Sequence, residues 1–142
     1  MEVDQFISKM RNIRPFLTKS WQKIMLSLDS DIVNLQNEQL MAGKNVEGKT
    51  MQKGYSKPYA KKRTKAGLQT GFVDLRFTGK YQDTKHLFKK QEGIDIRSAA
   101  DYEPHLRANF PNHVGLNEKN AEVIAEKVAT QLAVEIEKYL SR

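Results

Sequence analysis

The sequence predicts an α+β fold, on three observations. Apolar residues recur at helical spacing near both ends of the chain, short stretches between them alternate as strands do, and a basic segment bearing Gly and Pro follows neither pattern. With 142 residues, the chain suits one domain, 1–142, with a modest core.

A short helix is expected over 3–12, followed by a long amphipathic helix over 15–42. In the latter, Leu17, Trp21, Ile24, Leu28, Ile32 and Leu35 follow one another at intervals of three or four. Pro15 suits a first helical turn and Gly43 a stop. A helix of this length runs roughly 40 Å, more than a small sheet covers, so its apolar face is expected to serve as core or to meet a neighbouring subunit. Residues 43–71 contain Gly48, Gly54, Pro58 and Gly67 and are read as an extended arm or long loop. Residues 72–116 form a small β-rich region, with antiparallel strands at 85–88 and 94–97 joined through Gly93, and with 72–77 as a third strand or an entry turn. Asn117 caps a closing helix over 117–141, whose apolar side carries Ala121, Ile124, Val128, Leu132 and Ile136.

Charge is localised. The chain has 24 Lys and Arg against 17 Asp and Glu, a net +7. Residues 44–65 alone carry eight cations (Lys44, Lys49, Lys53, Lys57, Lys61, Lys62, Arg63 and Lys65) against the single Glu47, which equals the whole net charge. Tyr55 and Tyr59 punctuate this arm, so it is expected to face phosphate or an acidic protein surface, and to become ordered only on that partner. No membrane partner is expected, because no stretch approaches the roughly 18 consecutive apolar residues of a span. Glu2 and Asp4 suit neither the basic start nor the apolar core of a signal peptide.

The chemistry-bearing motifs are thin. The absence of Cys excludes disulfides, thiolate nucleophiles and Cys-based metal sites. Gly43-Lys44-Asn45-Val46-Glu47-Gly48-Lys49-Thr50 matches the phosphate-binding loop pattern to the letter, but a helix precedes it where that loop requires a strand. His86, His105 and His113 lack metal-ligand spacing, and His86 and His105 are read as packing or surface residues. Asp101 and Glu103 are paired without a flanking group to separate their acidities. No cofactor, metal or catalytic residue is therefore expected. Val73-Asp74-Leu75-x-x-Thr78-Gly79 reads as a structural corner before a short helix at Lys80–Asp83, with Asp74 accepting backbone N–H groups.

Taken together, Tyr55-x-x-x-Tyr59-x-x-x-Arg63, Gly67-Leu68-Gln69-Thr70, the corner at Asp74, Thr78 and Gly79, and Gly115-Leu116 before the last helix resemble the virion-morphogenesis or tail-completion proteins of tailed bacteriophages. The resemblance covers about residues 50–140. Where that family has Pro-Ala/Ser-Arg before the terminal Gly-Leu, this chain has Pro111-Asn112-His113, and no contact of the family's Arg is carried over. The resemblance implies a non-enzymatic subunit of the neck, a head-tail connector, tail-completion or tail-terminator protein. It implies a homo-oligomeric ring, neighbouring portal-adaptor and tail proteins as partners, DNA passing through the channel, and a place in the virion after synthesis in the bacterial cytoplasm. The alternative from the residues alone is a nucleic-acid-binding protein gripping phosphates with the 44–65 arm.

Overall fold

Two residues that leave helical geometry, Asn12 and Leu28, divide the N-terminal third of the computed structural model into three consecutive helices; the structure describes residues 1–51 and 54–142. They are α1 (Val3–Arg11), α2 (Ile13–Ser27) and α3 (Asp29–Met41). The helix expected over 15–42 is thus two helices. At the break the Ser27 hydroxyl donates to the Ile24 carbonyl at 2.5 Å, while Asp29 and Asp31 open α3 with carboxylates at the positive end of its dipole. Asp29 also accepts the Leu87 N–H at 3.3 Å, fastening the new start to the sheet. The apolar spacing survives the break, since Ile24, Leu28 and Ile32 are all buried.

The basic segment also departs from expectation. It is not extended throughout but carries α4 (Lys57–Lys65). The residues read as helix breakers mark its ends instead. Ser56 caps it by accepting the Tyr59 N–H, Pro58 occupies the first turn where no hydrogen bond is lost, and Gly67 follows the C-cap with φ +74°. After α5 (Lys80–Asp83), β1 (Lys85–Lys89) and β2 (Ile94–Ser98) pair antiparallel, with Leu87 opposite Ile96. Residues 72–77 form an irregular entry turn and not a third strand, because Leu75 takes a left-handed φ of +60° and Asp74 accepts the Arg76 N–H at 2.9 Å. The region 72–116 is accordingly more helical than expected, adding α6 (Glu103–Asn109) and a single 3-10 turn at Pro111–His113. Helix α7 (Glu118–Ser141) closes the described chain, with the Asn117 side chain accepting the Asn120 N–H at 3.0 Å.

Two apolar clusters hold these elements. The first joins Ile24, Leu28 and Ile32 to Leu87 of the hairpin and to Ile124 and Val128 of α7, with Trp21, Leu35, Ile94, Ile96 and Leu132 packed around them. The second joins Leu40, Val73, Leu75, Tyr81 and Ala100, with Tyr55, Leu106 and Phe110 at its edge. Ile24, Leu28 and Ile32 are therefore core within the chain, and Trp21 and Leu35 are half-buried against that core. Leu17 is half-buried as well. Three buried glutamines of α2 and α3 serve the loops: Gln22 donates to the Lys90 carbonyl at 2.8 Å, Gln36 to the His113 carbonyl at 2.7 Å, and Gln39 accepts the Asn117 N–H at 2.8 Å. Each supplies an irregular segment with a partner that regular structure would otherwise provide. Among the described residues, no helix is long and apolar enough to cross a membrane.

Candidate functional site

The eight cations of the basic segment separate into distinct roles. Lys57, Lys61 and Lys65 stand at i, i+4 and i+8 on α4 and are exposed, as is Lys62. No acidic residue shares that helix, so it displays an uncompensated row of positive charge. Lys44 is half-buried, while exposed Lys49 lies 3.5 Å from Glu47 in a surface pair that contributes little. Lys53 lies outside the described residues.

Arg63 is not a partner-facing residue. Only 1% of its surface is exposed, because its guanidinium is the hub of the corner. One nitrogen bonds Asp74 Oδ1 at 3.1 Å, Nε donates to the Gln69 carbonyl at 2.9 Å, and a third donates to the Arg76 carbonyl at 2.5 Å. The Tyr55 ring lies against it, 4.4 Å from centroid to guanidinium carbon. A planar fork suits this site, where three acceptors sit around one cation. Tyr55 also turns inward: its hydroxyl donates to Asp74 Oδ1 at 3.0 Å and accepts the Asp74 N–H at 3.1 Å. Burial, reinforced by the Asp74 charge, raises the Tyr55 hydroxyl to about 12. Gln69 donates to Asp74 Oδ2 at 2.9 Å. The carboxylate thus holds Arg63, Tyr55, Gln69 and the Arg76 N–H together, and the corner predicted at Asp74 is a buried lock between α4 and the entry turn.

Thr78 and Gly79 complete that corner. The Thr78 hydroxyl accepts the Lys80 N–H at 3.3 Å, opening α5. Gly79 sits at φ +89°, where a Cβ would also press on Arg76 and Asp83, so only glycine fits without strain.

The string resembling a phosphate-binding loop is closed upon itself. Gly43 N–H goes to Leu40, Lys44 to Gln39, Asn45 to Lys49, Val46 to Asn112 and Gly48 to Asn45, all through carbonyls. The Glu47 and Lys49 N–H groups both go to Asn45 Oδ1, at 2.9 and 3.1 Å. Every backbone donor from Gly43 to Lys49 is thus spent inside the protein, leaving none to cradle phosphate. No strand precedes it either; α3 does.

Beside the lock lies an aromatic groove of about 500 Å³ between α4, the entry turn and α6. Tyr55, Tyr59, Leu75, Phe77, Leu106 and Phe110 supply half of the residues in its wall. Tyr59 meets Tyr55 edge-on at 5.3 Å, and the Lys62 ammonium sits 5.2 Å from the Phe77 ring centroid. No carboxylate is among the described residues that line it.

A second buried polar group connects the hairpin to the 111–113 turn. Lys85 is 3% exposed and donates to Gln36 Oε1 at 2.6 Å and Asn37 Oδ1 at 3.0 Å, over the Tyr81 ring. Burial lowers this ammonium to about 7, against the opposing charge of Glu103. His113 is fully buried between the Tyr81 hydroxyl and the Phe110 carbonyl, and burial lowers it to about 4. Burial raises the Tyr81 hydroxyl, with Glu103 adding to the effect. Sequence reading denies His113 a metal role without placing it, and passes over Lys85. Its signal lay in alternation, since Lys85 shares the inward face of β1 with Leu87. His86 and His105 are exposed, and Glu103 is buried against Arg107 at 2.9 Å, whereas Asp101 is exposed. No three His, Cys, Asp or Glu side chains converge as metal ligands among the described residues. No protein-family model, curated protein or solved structure matches the chain.

Proposed function

We propose that this chain is a structural subunit of the neck of a tailed bacteriophage, a head-tail connector or tail-completion protein that works as a homo-oligomeric ring without catalysis. The observation that carries the reading is the lock. Tyr55, Tyr59, Arg63 and Asp74, which carry the resemblance as scattered letters, meet in one network around the buried Arg63–Asp74 pair, so the strings form a single structural unit, as a family signature should. Their work there is to fix α4 and the entry turn, which is a scaffold's task. The exposed lysine row of α4 suits the acidic surface of an adjoining portal-adaptor or tail protein, or DNA in the channel, and repetition around a ring multiplies weak single contacts.

The same row favours a second reading, a nucleic-acid-binding protein whose affinity falls steeply with salt. Immunogold labelling of particles made from the encoding genome tests the first. Label at the head-tail joint is the expected result. Label absent from particles and recovered with intracellular DNA would overturn it in favour of the second.

A further inference from the structure

Helix α1 leaves an amphipathic face only partly covered by the described residues of its own chain. Val3, Phe6, Ile7 and Met10 fall at i, i+3, i+4 and i+7, forming one stripe, and are 72, 45, 42 and 43% exposed. At about 100° per residue, Glu2 and Asp4 flank the stripe on opposite sides. The C-terminal end of α1 is fastened to α7, where Lys9 Nζ donates to the Leu140 carbonyl at 3.2 Å and the Tyr139 hydroxyl donates to the Lys9 carbonyl at 3.1 Å. Its stripe nevertheless buries no residue.

The aromatic groove has the complementary properties. Its wall is mostly apolar, no carboxylate is among the described residues that line it, and Lys62 stands at its edge beside Phe77. Lys57 and Lys61, two residues from Tyr59 on either side, fall on the far face of α4 and leave Lys62 as the groove's cation. We infer that α1 of one copy seats in the aromatic groove of the next, with Phe6 and Ile7 filling the apolar cleft and Asp4 meeting Lys62 at its edge. This inference rests on the ring reading above and supplies its contact. Because the two surfaces differ, the interface is heterologous: each copy offers a helix to one neighbour and a groove to the other, an arrangement that closes into a ring when the rotation per copy permits. A helix laid in a groove by anchors at i, i+3, i+4 and i+7 is a recurrent mode of recognition. Nucleic acid suits the groove less well. Base stacking needs free aromatic faces, whereas the Tyr55 face is taken by Arg63 and Tyr59 is engaged by Tyr55 and Phe77.

Two full-length variants test the contact. Phe6→Asp with Ile7→Asp spoils the helix in an element that buries nothing. Tyr102→Asp with His105→Asp spoils the groove at two exposed positions of its rim. Circular dichroism melting checks that both fold. In sedimentation velocity, each variant alone is expected to lose assembly and run as a monomer, while an equimolar mixture doubles in mass, because one intact contact survives per pair. In the wild-type background Asp4→Lys is expected to weaken assembly and added Lys62→Glu to restore it. If both variants assemble as the wild type does, the contact is overturned while the ring reading stands. A mixture that stays monomeric overturns the heterologous geometry, and a wild-type chain monomeric at every concentration overturns contact and ring together. Binding of a fluorescein-labelled single-stranded oligonucleotide, expected to be unchanged in both variants, would reassign the groove to nucleic acid if only the groove variant lost it.

Discussion

Arg63 carries a charge into the interior, and its consequences follow from what it leaves behind when removed. Asp74 would keep its burial and lose its cation, so Arg63→Ala is expected to cost about 3–5 kcal/mol in urea unfolding. Arg63→Lys should recover only part of this, because a single ammonium cannot reach Asp74, the Gln69 carbonyl and the Arg76 carbonyl together. The buried titrating groups set a pH dependence of definite sign. His113 sits at about 4 in the folded chain against 6.5 when free. The unfolded chain therefore binds the extra proton, and this contribution, complete above pH 6.5, is lost as pH falls toward 4. Lys85 sits at about 7 against 10.5, so stability rises again from pH 7 toward 10.5. Tyr55, raised from 10.0 to about 12, reverses the trend above pH 10, where the unfolded chain gives up a proton the folded one retains. Urea midpoints measured across pH are expected to peak on the alkaline side, near 9–10, and Lys85→Met should flatten the limb above pH 7.

Among the elements, α4 depends on Ser56 and the lock for its place, and its lysines contribute to neither. Ser56→Ala is expected to cost about 0.5–1 kcal/mol, at the low end for a cap because the bond is long at 3.4 Å. Lys57→Glu and Lys65→Glu should leave the melting temperature almost unchanged. The outer helices and the hairpin were legible in sequence, since the spacing of Ile24, Leu28 and Ile32 and the alternation of Ile94 and Ile96 report burial directly. The break at Leu28 escaped that reading because the apolar spacing runs on through it. Helix α4 escaped because Gly54, Pro58 and Gly67 mark helix ends as readily as they mark loops. The corner at Asp74 was readable as local turn chemistry, but its bond to Arg63 was not: nothing in a charge run separates Arg63, which turns inward, from Lys57, Lys61, Lys62 and Lys65, which stay exposed.

At the scale of the whole molecule, the basic segment is a folded part of the single chain. Its Arg63 anchor is made within one chain, and equal protease resistance of residues 44–67 in monomer and particle is the outcome that would count against ordering only on assembly. The loop from Gly43 to Thr50 is equally self-contained, so isothermal titration with a magnesium nucleotide is expected to register no heat of binding, and Lys49→Ala should change nothing in that assay. Measurable heat abolished by this substitution would restore the phosphate reading.

The single tryptophan, Trp21, packs against one cluster, whereas Tyr55 and Tyr81 belong to the other. The chain is thereby wired with two optical reporters. Emission excited at the red edge, where tyrosine is dark, follows the parting of α2 from α7, and tyrosine absorbance follows the lock once Tyr139, stacked on Phe16 at 4.2 Å, is replaced by Phe. In a stopped-flow jump into denaturant, coincident traces mean that the clusters melt as one cooperative unit. Separated traces would give each its own lifetime, with no label added.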